Sequence, residues 1–169
     1  MMIRIGHGYD IHRLESNVQK NGIILGGIEI PYEKNFVAHS DGDVLIHALI
    51  DALLGAAGLG DIGQHFPDTD PKYKNADSRI LLQNVLQKIT KLNYCVNNVD
   101  ITIIAEKPKL APHISTMREC LAAELQISYA DVNVKAKTNE QCDAVGHREA
   151  IVVFAVVTLL NDSLMEKVV

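Results

Sequence analysis

Asp10 and His12 stand two residues apart in a strand-like run, and His47 stands alone on an apolar, helix-like one. Side chains alternate across a strand, so residues 10 and 12 project from the same face. A helix then brings the third group from a separate element. One carboxylate and two imidazoles leave the fourth position of a zinc ion open, which is the pattern of a catalytic centre. The cysteines do not offer a closed structural site, because Cys95, Cys120 and Cys142 are scattered with no C-x-x-C pair.

Polar segments flank the run that carries His47. His39-Ser40-Asp41-Gly42-Asp43 precedes it and GDIGQHFPDTD, residues 60–70, follows it, which suggests a single pocket. Asp43, His47 and Asp51 repeat at helical spacing along one stripe. Each residue also has a plainer reading: Asp43 as a cap, Asp51 as a solvent-facing carboxylate, Asp10-x-His12 as a chance triplet. Glu140, beside Thr138 and Asn139, has oxygens suited to a hard cation against a phosphate, and an ordinary turn explains it equally well. The loop 105–112, punctuated by two prolines, can present backbone groups to a nucleobase or merely connect.

The elements that must position these groups follow from the pattern. Residues 2–9 read as a strand and 13–22 as a polar loop. Residues 23–25 and 28–30, joined by Gly26-Gly27, read as a tight hairpin. Ser40 with Asp43 three residues on resembles a capping box, and the helix behind it ends near Ala57, at Gly58. Asp77 or Ser78 caps a second helix through about Leu92, whose apolar residues recur at helical spacing. Residues 99–105 are a strand, 112–125 a third helix and 131–138 an alternating strand. Residues 150–160 form a strand apolar on both faces, which calls for cover on both. Three helices cover one face of a small sheet, which leaves the other for a second subunit. The fold class is therefore α+β: a single domain over residues 1–169 with a mixed four-to-five-stranded sheet and helices on one face.

The chain of 169 residues is long enough for one hydrophobic core, with 47% hydrophobic and 22% charged residues. A net charge of −5 argues against a nucleic-acid surface. Unpaired cysteines fit a reducing compartment. The first residues lack a signal-peptide core, and the longest apolar run is too short to span a bilayer. The expected setting is the cytoplasm, or a plastid-type organelle if a transit peptide has been removed, with no nucleic-acid or membrane partner.

GHGYDIHRL, AHSDGDVLIHALIDALLGAAGLGDIGQHFPDTDP, NVDITIIAEKPKLAPHI and DVNVKAKTNE resemble the 2-C-methyl-D-erythritol 2,4-cyclodiphosphate synthase family nearly end to end, in order and spacing. The resemblance implies a homotrimer packed about its sheet faces, with active sites between subunits. It also implies a cytidine diphosphate substrate, 4-diphosphocytidyl-2-C-methyl-D-erythritol 2-phosphate, cyclised with release of CMP. On that basis Zn²⁺ sits on Asp10, His12 and His47. A second divalent ion, Mg²⁺ or Mn²⁺, sits at Glu140. His39 and Thr138 steady the transferring phosphate, and Ser40 meets the 2-phosphate. Asp51, Asp61, Gly63, Phe66, Asp68 and Asp70 face the methylerythritol. Ala105, Lys109, Leu110 and Ala111 with Ala136, Lys137 and Thr138 read the cytosine from a neighbouring copy, and Ala144 and His147 complete the substrate contacts. The chain departs from the family pattern at Lys137, commonly threonine. It departs again across residues 143–150, where His147 replaces an arginine of the trimer's central cavity and Arg148 follows it. Two other classes use the same residues: a metal-dependent phosphohydrolase with water as nucleophile, and a non-catalytic oligomeric binding protein.

Overall fold

The computed structural model describes residues 3–16, 22–67, 69–73 and 75–161. Five strands form one sheet in the order β4-β1-β7-β5-β6: β4 (Lys34–Phe36), β1 (Ile3–Ser16), β7 (Ala150–Asn161), β5 (Tyr94–Ile104) and β6 (Val132–Lys137). β7 is central and antiparallel to both β1 and β5, whereas β5 and β6 run parallel. A separate hairpin pairs β2 (Ile23–Leu25) with β3 (Ile28–Ile30).

Gly26 and Gly27 turn that hairpin with φ of 64° and 76°, the left-handed pair that a two-residue loop requires. A methyl on Gly27 would also meet the Cys120 sulfur at 2.5 Å.

The strands reach further than their sequence suggests. β1 continues through Arg13–Ser16, expected as loop, because Arg13 still pairs with Ala150 on β7 and Leu14 pairs with Phe36 on β4. Leu14 is buried there, so a polar-looking stretch earns its place through one side chain and its backbone ladder. Residues 17–21 of the same expected loop, residue 2 of the expected strand and the candidate Asp68 lie outside the described residues. β5 begins at Tyr94 rather than 99, with a bulge between Val96 and Asn98 that absorbs the polar Asn97-Asn98 step.

Helix α1 (Val44–Ala57) ends as expected, on Gly58 at φ 73°. Its N-cap is Asp43, the plainer of the two readings of that residue, and not Ser40. The fully buried Asp43 carboxylate accepts from Leu45 and Ile46 and, at 2.9 and 2.6 Å, from Gly26 and Gly27. One carboxylate with four N–H donors satisfies the helix start and the hairpin turn together, which a single hydroxyl cannot do. Helix α3 (Ser78–Lys91) is capped by Asp77, and α4 (Ile114–Leu125) follows a short 3₁₀ turn. Short helices α2 (Ile62–His65) and α5 (Asp143–Gly146) sit in the connecting loops.

The core lies between the sheet and α1, α3 and α4. Ile151, Val153, Ala155, Val157 and Leu159 of β7 point into it and are wholly buried. β1 meets α1 through glycines: a methyl on Gly8 would sit 1.9 Å from the Ala48 carbonyl oxygen, and one on Gly6 1.8 Å from that of Ala52. The opposite sheet face is open and apolar, with Ile5 71% and Tyr9 46% exposed, and the Tyr9 ring packs at a tilt against Phe154, 5.2 Å between centroids. Among the described residues no helix is long and apolar enough to cross a membrane.

Candidate metal centre

β1 points Asp10 and His12 to the same side, and the first turns of α1 bring His47 beside them. The His12 Nε2 and His47 Nδ1 atoms lie 3.0 and 3.3 Å from Asp10 Oδ2, and 3.3 Å from each other. Ligand atoms on a tetrahedral zinc with bonds of about 2.0–2.1 Å stand roughly 3.3 Å apart. These three atoms therefore trace one face of such a tetrahedron, and the residues fit the ion on spacing as well as on donor type.

Each imidazole is held by its other nitrogen. His12 Nδ1 lies 2.9 Å from the Gly42 carbonyl, to which it can only donate, so Nε2 is the nitrogen left to face Asp10 or an ion. His47 Nε2 lies 2.9 Å from Ser78 Oγ and 3.3 Å from Ser40 Oγ, which leaves Nδ1 toward Asp10. Burial pushes the Asp10 carboxyl up, but hydrogen bonds from His12 and then His47, with their charge, outweigh it and hold it well below the usual carboxylate range. Burial pulls His12 down, and the adjoining Asp10 carboxylate overrides this and raises it. Without an ion, then, the three groups lock onto shared protons, which a metal must displace.

A cavity of about 540 Å³ opens beside these residues. His39, Ser40, Gly63, Phe66 and Thr69, all within segments expected there, line it, as do Val37, Tyr73 and Leu81, which the sequence did not single out. Phe66 is fixed edge-on by Tyr73 at 5.3 Å. The other expected carboxylates of this end are engaged by the backbone. Asp51 accepts from the Ile62 amide at 2.7 Å, Asp61 caps α2 by accepting from Gln64, and Asp70 accepts from Lys72. Burial raises Asp51.

A second group of expected residues gathers where β5 and β6 end. Ala105 donates to the Lys137 carbonyl at 2.9 Å, and the Thr138 hydroxyl donates to Glu140 Oε1 at 2.6 Å. Glu106 Oε2 accepts from the amides of Asn139 and Gln141. Lys109, Ala111, Ala136, Lys137, Ala144 and His147 are exposed around them, while Leu110 is buried. None of these lines the cavity at Asp10 within one chain. His12 pairs with Ile151, Val152 with Ile104, and Ile104 with Lys137, so both groups lie at the same end of the sheet. Three strand spacings separate them, roughly 14 Å. The sequence missed Asp41, Gly42 and Ser78, which hold the two imidazoles. The HSDGD run before α1 and a serine directly after the Asp77 cap were the available signals.

An α+β sheet protein with a two-histidine, one-aspartate nest beside a cavity has the donor set and the open position of a metal-dependent enzyme. The chain belongs to the YgbB family, whose profile matches residues 3–160. It is 56% identical, over 94% of its length and 99% of the relative's, to the 2-C-methyl-D-erythritol 2,4-cyclodiphosphate synthase of Stutzerimonas stutzeri (strain A1501). Among solved structures it resembles a Plasmodium falciparum IspF–CDP complex, with a TM-score of 0.82 at 36% identity over 94% of this chain and 96% of that one. It also resembles the bifunctional IspDF of Campylobacter jejuni, with a TM-score of 0.89 at 39% identity over 96% of this chain; the match spans 44% of that longer chain.

Proposed function

We propose that the chain converts 4-diphosphocytidyl-2-C-methyl-D-erythritol 2-phosphate to 2-C-methyl-D-erythritol 2,4-cyclodiphosphate and CMP, a step of non-mevalonate isoprenoid synthesis. The observation that carries this reading is the Asp10–His12–His47 nest on the cavity wall, in a chain of this family. An oxygen of the 2-phosphate bonds to the β-phosphorus. The bond from that phosphorus to the bridging oxygen breaks, and the oxygen leaves with its electron pair on CMP. Both reacting groups belong to one molecule, so the protein's work is to fold it and align the attack.

Zn²⁺ on Asp10, His12 and His47, and Mg²⁺ or Mn²⁺ at Glu140, would supply positive charge to two phosphates that otherwise repel. His39 and Ser40 donate to phosphate oxygens from the cavity wall. Thr138 steadies the transferring phosphate from the far side. Gly63, Phe66, Asp51, Asp61, Asp68 and Asp70 hold the methylerythritol. Ala105, Lys109, Leu110, Ala111, Ala136 and Lys137 read the cytosine mainly through backbone groups, and Ala144 and His147 close that side.

The open apolar sheet face supports a homotrimer in which the β5–β6 end of one copy completes the metal pocket of its neighbour. Residues 1–169 act as one domain in it, and the similarity to bacterial relatives supports a cytoplasmic setting. Incubation with the substrate and divalent metal, followed by ³¹P NMR, tests the reading. The expected product is the cyclic diphosphate with one equivalent of CMP. A linear product carrying solvent oxygen would make the chain a phosphohydrolase instead.

A further inference from the structure

Asp41 and Ser78 lie outside the expected site, yet their hydrogens are fully committed. Asp41 Oδ1 is 2.5 Å from Ser78 Oγ and accepts from the Asp43 amide at 3.2 Å, while Oδ2 accepts from the Ser78 amide at 3.0 Å. A carboxylate only accepts, so the single Ser78 hydroxyl proton must point at Asp41. Ser78 Oγ then faces His47 Nε2, 2.9 Å away, with lone pairs alone. Nε2 must carry a proton, which leaves Nδ1 as the nitrogen that can give its own up to Asp10 or to an ion. Ser78 is wholly buried, so no water substitutes for it. Ser40 Oγ, at 3.3 Å, is a longer partner and already accepts from the Gly42 amide.

We infer that Asp41 and Ser78 are positioning residues that fix His47 as an Nδ1 metal ligand, through an Asp41–Ser78–His47 chain of hydrogen bonds. The inference rests on the reading of Asp10, His12 and His47 as the metal site. Asp41 also donates its own amide to Ala76, 3.1 Å away, so the same residue ties the start of α1 to the start of α3. The chain therefore fixes ring orientation as well as tautomer. Asparagine at 41 breaks the proton order. Wherever its NH₂ lies, it faces either a backbone N–H or Ser78 Oγ. In the second case Ser78 turns its proton on Nε2 and drives the Nδ1–H tautomer, which cannot ligate. Alanine at 78 merely deletes the partner and leaves the backbone amide on Asp41, so α3 keeps its start.

Competition for Zn²⁺ against a chromophoric chelator, on the full chain, tests this. Removal of such partners typically lowers metal affinity ~10–100-fold. Asp41→Asn should sit at the upper end, Ser78→Ala at the lower, and His47→Ala should bind no zinc at this site. The rise in Tm on adding zinc should shrink in the same order, with the metal-free Tm of Ser78→Ala near that of the parent. If the parent binds zinc and both variants bind it as tightly, the relay is wrong and the metal site stands. A lower metal-free Tm with an unchanged zinc-dependent rise would also overturn the relay, since it assigns the two residues a purely structural role. A parent chain that binds no zinc overturns the metal reading itself.

Discussion

Asp10, His12 and His47 are half-buried, and every nitrogen and oxygen of these three side chains has a partner within the same chain. Thr138 and Glu140 are built in the opposite way. Their bond is local, and the loop around them places four non-glycine residues in the left-handed region: Glu140, Gln141, Asp143 and Arg148, with φ from 50° to 62°. The first half is set by packing before any ligand arrives. The second is a bent, outward-facing loop, and its residues do not line the cavity at Asp10 in their own chain. A site that is complete on one side and presented on the other is what a shared, intersubunit pocket requires.

His47→Ala should abolish metal binding and lower kcat/KM by roughly a thousandfold or more, since the charge offset for two phosphates goes with the ion. Elemental analysis with a CMP-release assay checks both; a variant that keeps full zinc and loses activity would move the ligand role away from His47. Glu140→Gln acts on the other half. It should keep its zinc and lose about a hundredfold in kcat, recovered in part at high Mg²⁺. If it loses zinc instead, the two halves are not separate. Mixing the two inactive variants sharpens the comparison further. After 1:1 subunit exchange a shared site draws each half from an independent copy, so about a quarter of parental activity should return. No recovery after verified exchange would place both halves in one subunit.

The smallest effect concerns the metal-free protein. Asp10 is held below its ordinary 3.8, so its contribution is present above pH 3.8 and is lost as pH falls toward the folded value. His12 is raised above 6.5, so its contribution is full below pH 6.5 and is lost as pH rises through the folded value. The Tm gap between the parent and Asp10→Asn, without metal, should be widest between these limits at about 2–4 °C, and narrow on either side. A gap that grows steadily to alkaline pH would contradict the pairing.

The convergence of Asp10, His12 and His47 was legible because it rests on local rules. Strand alternation puts Asp10 and His12 on one face, and α1 is announced by its apolar run and Gly58. The hairpin at Gly26-Gly27 and the cap at Asp77 were legible for the same reason. What escaped depends on distant partners. Ser40 looked like the cap because Asp43's two remaining donors come from Gly26 and Gly27, which no local pattern places there. β5 looked short because Asn97 and Asn98 interrupt its apolar pattern, and only pairing with β7 shows that the interruption is a bulge. Asp41 and Ser78 are 37 residues apart, and their bond exists only once α3 has docked on α1.

Gly6 and Gly8 have a reach beyond packing. Two strand residues advance about 6.6 Å and four helix residues about 6 Å, so the two elements keep step as they run antiparallel. The Arg4 guanidinium meets the Ala56 carbonyl, Gly6 lies against Ala52 and Gly8 against Ala48. The next division on this ruler is Asp10 against the turn that carries His47. A methyl at Gly8 would have to lift α1 from 1.9 Å to an ordinary contact, by about 1 Å or more. His47 rides on the helix while Asp10 and His12 stay on the strand, and a metal site tolerates displacements of only about 0.2 Å. Two residues outside the cluster thus calibrate the distances among Asp10, His12 and His47, and an alanine there would mis-set the cluster without altering one of its side chains.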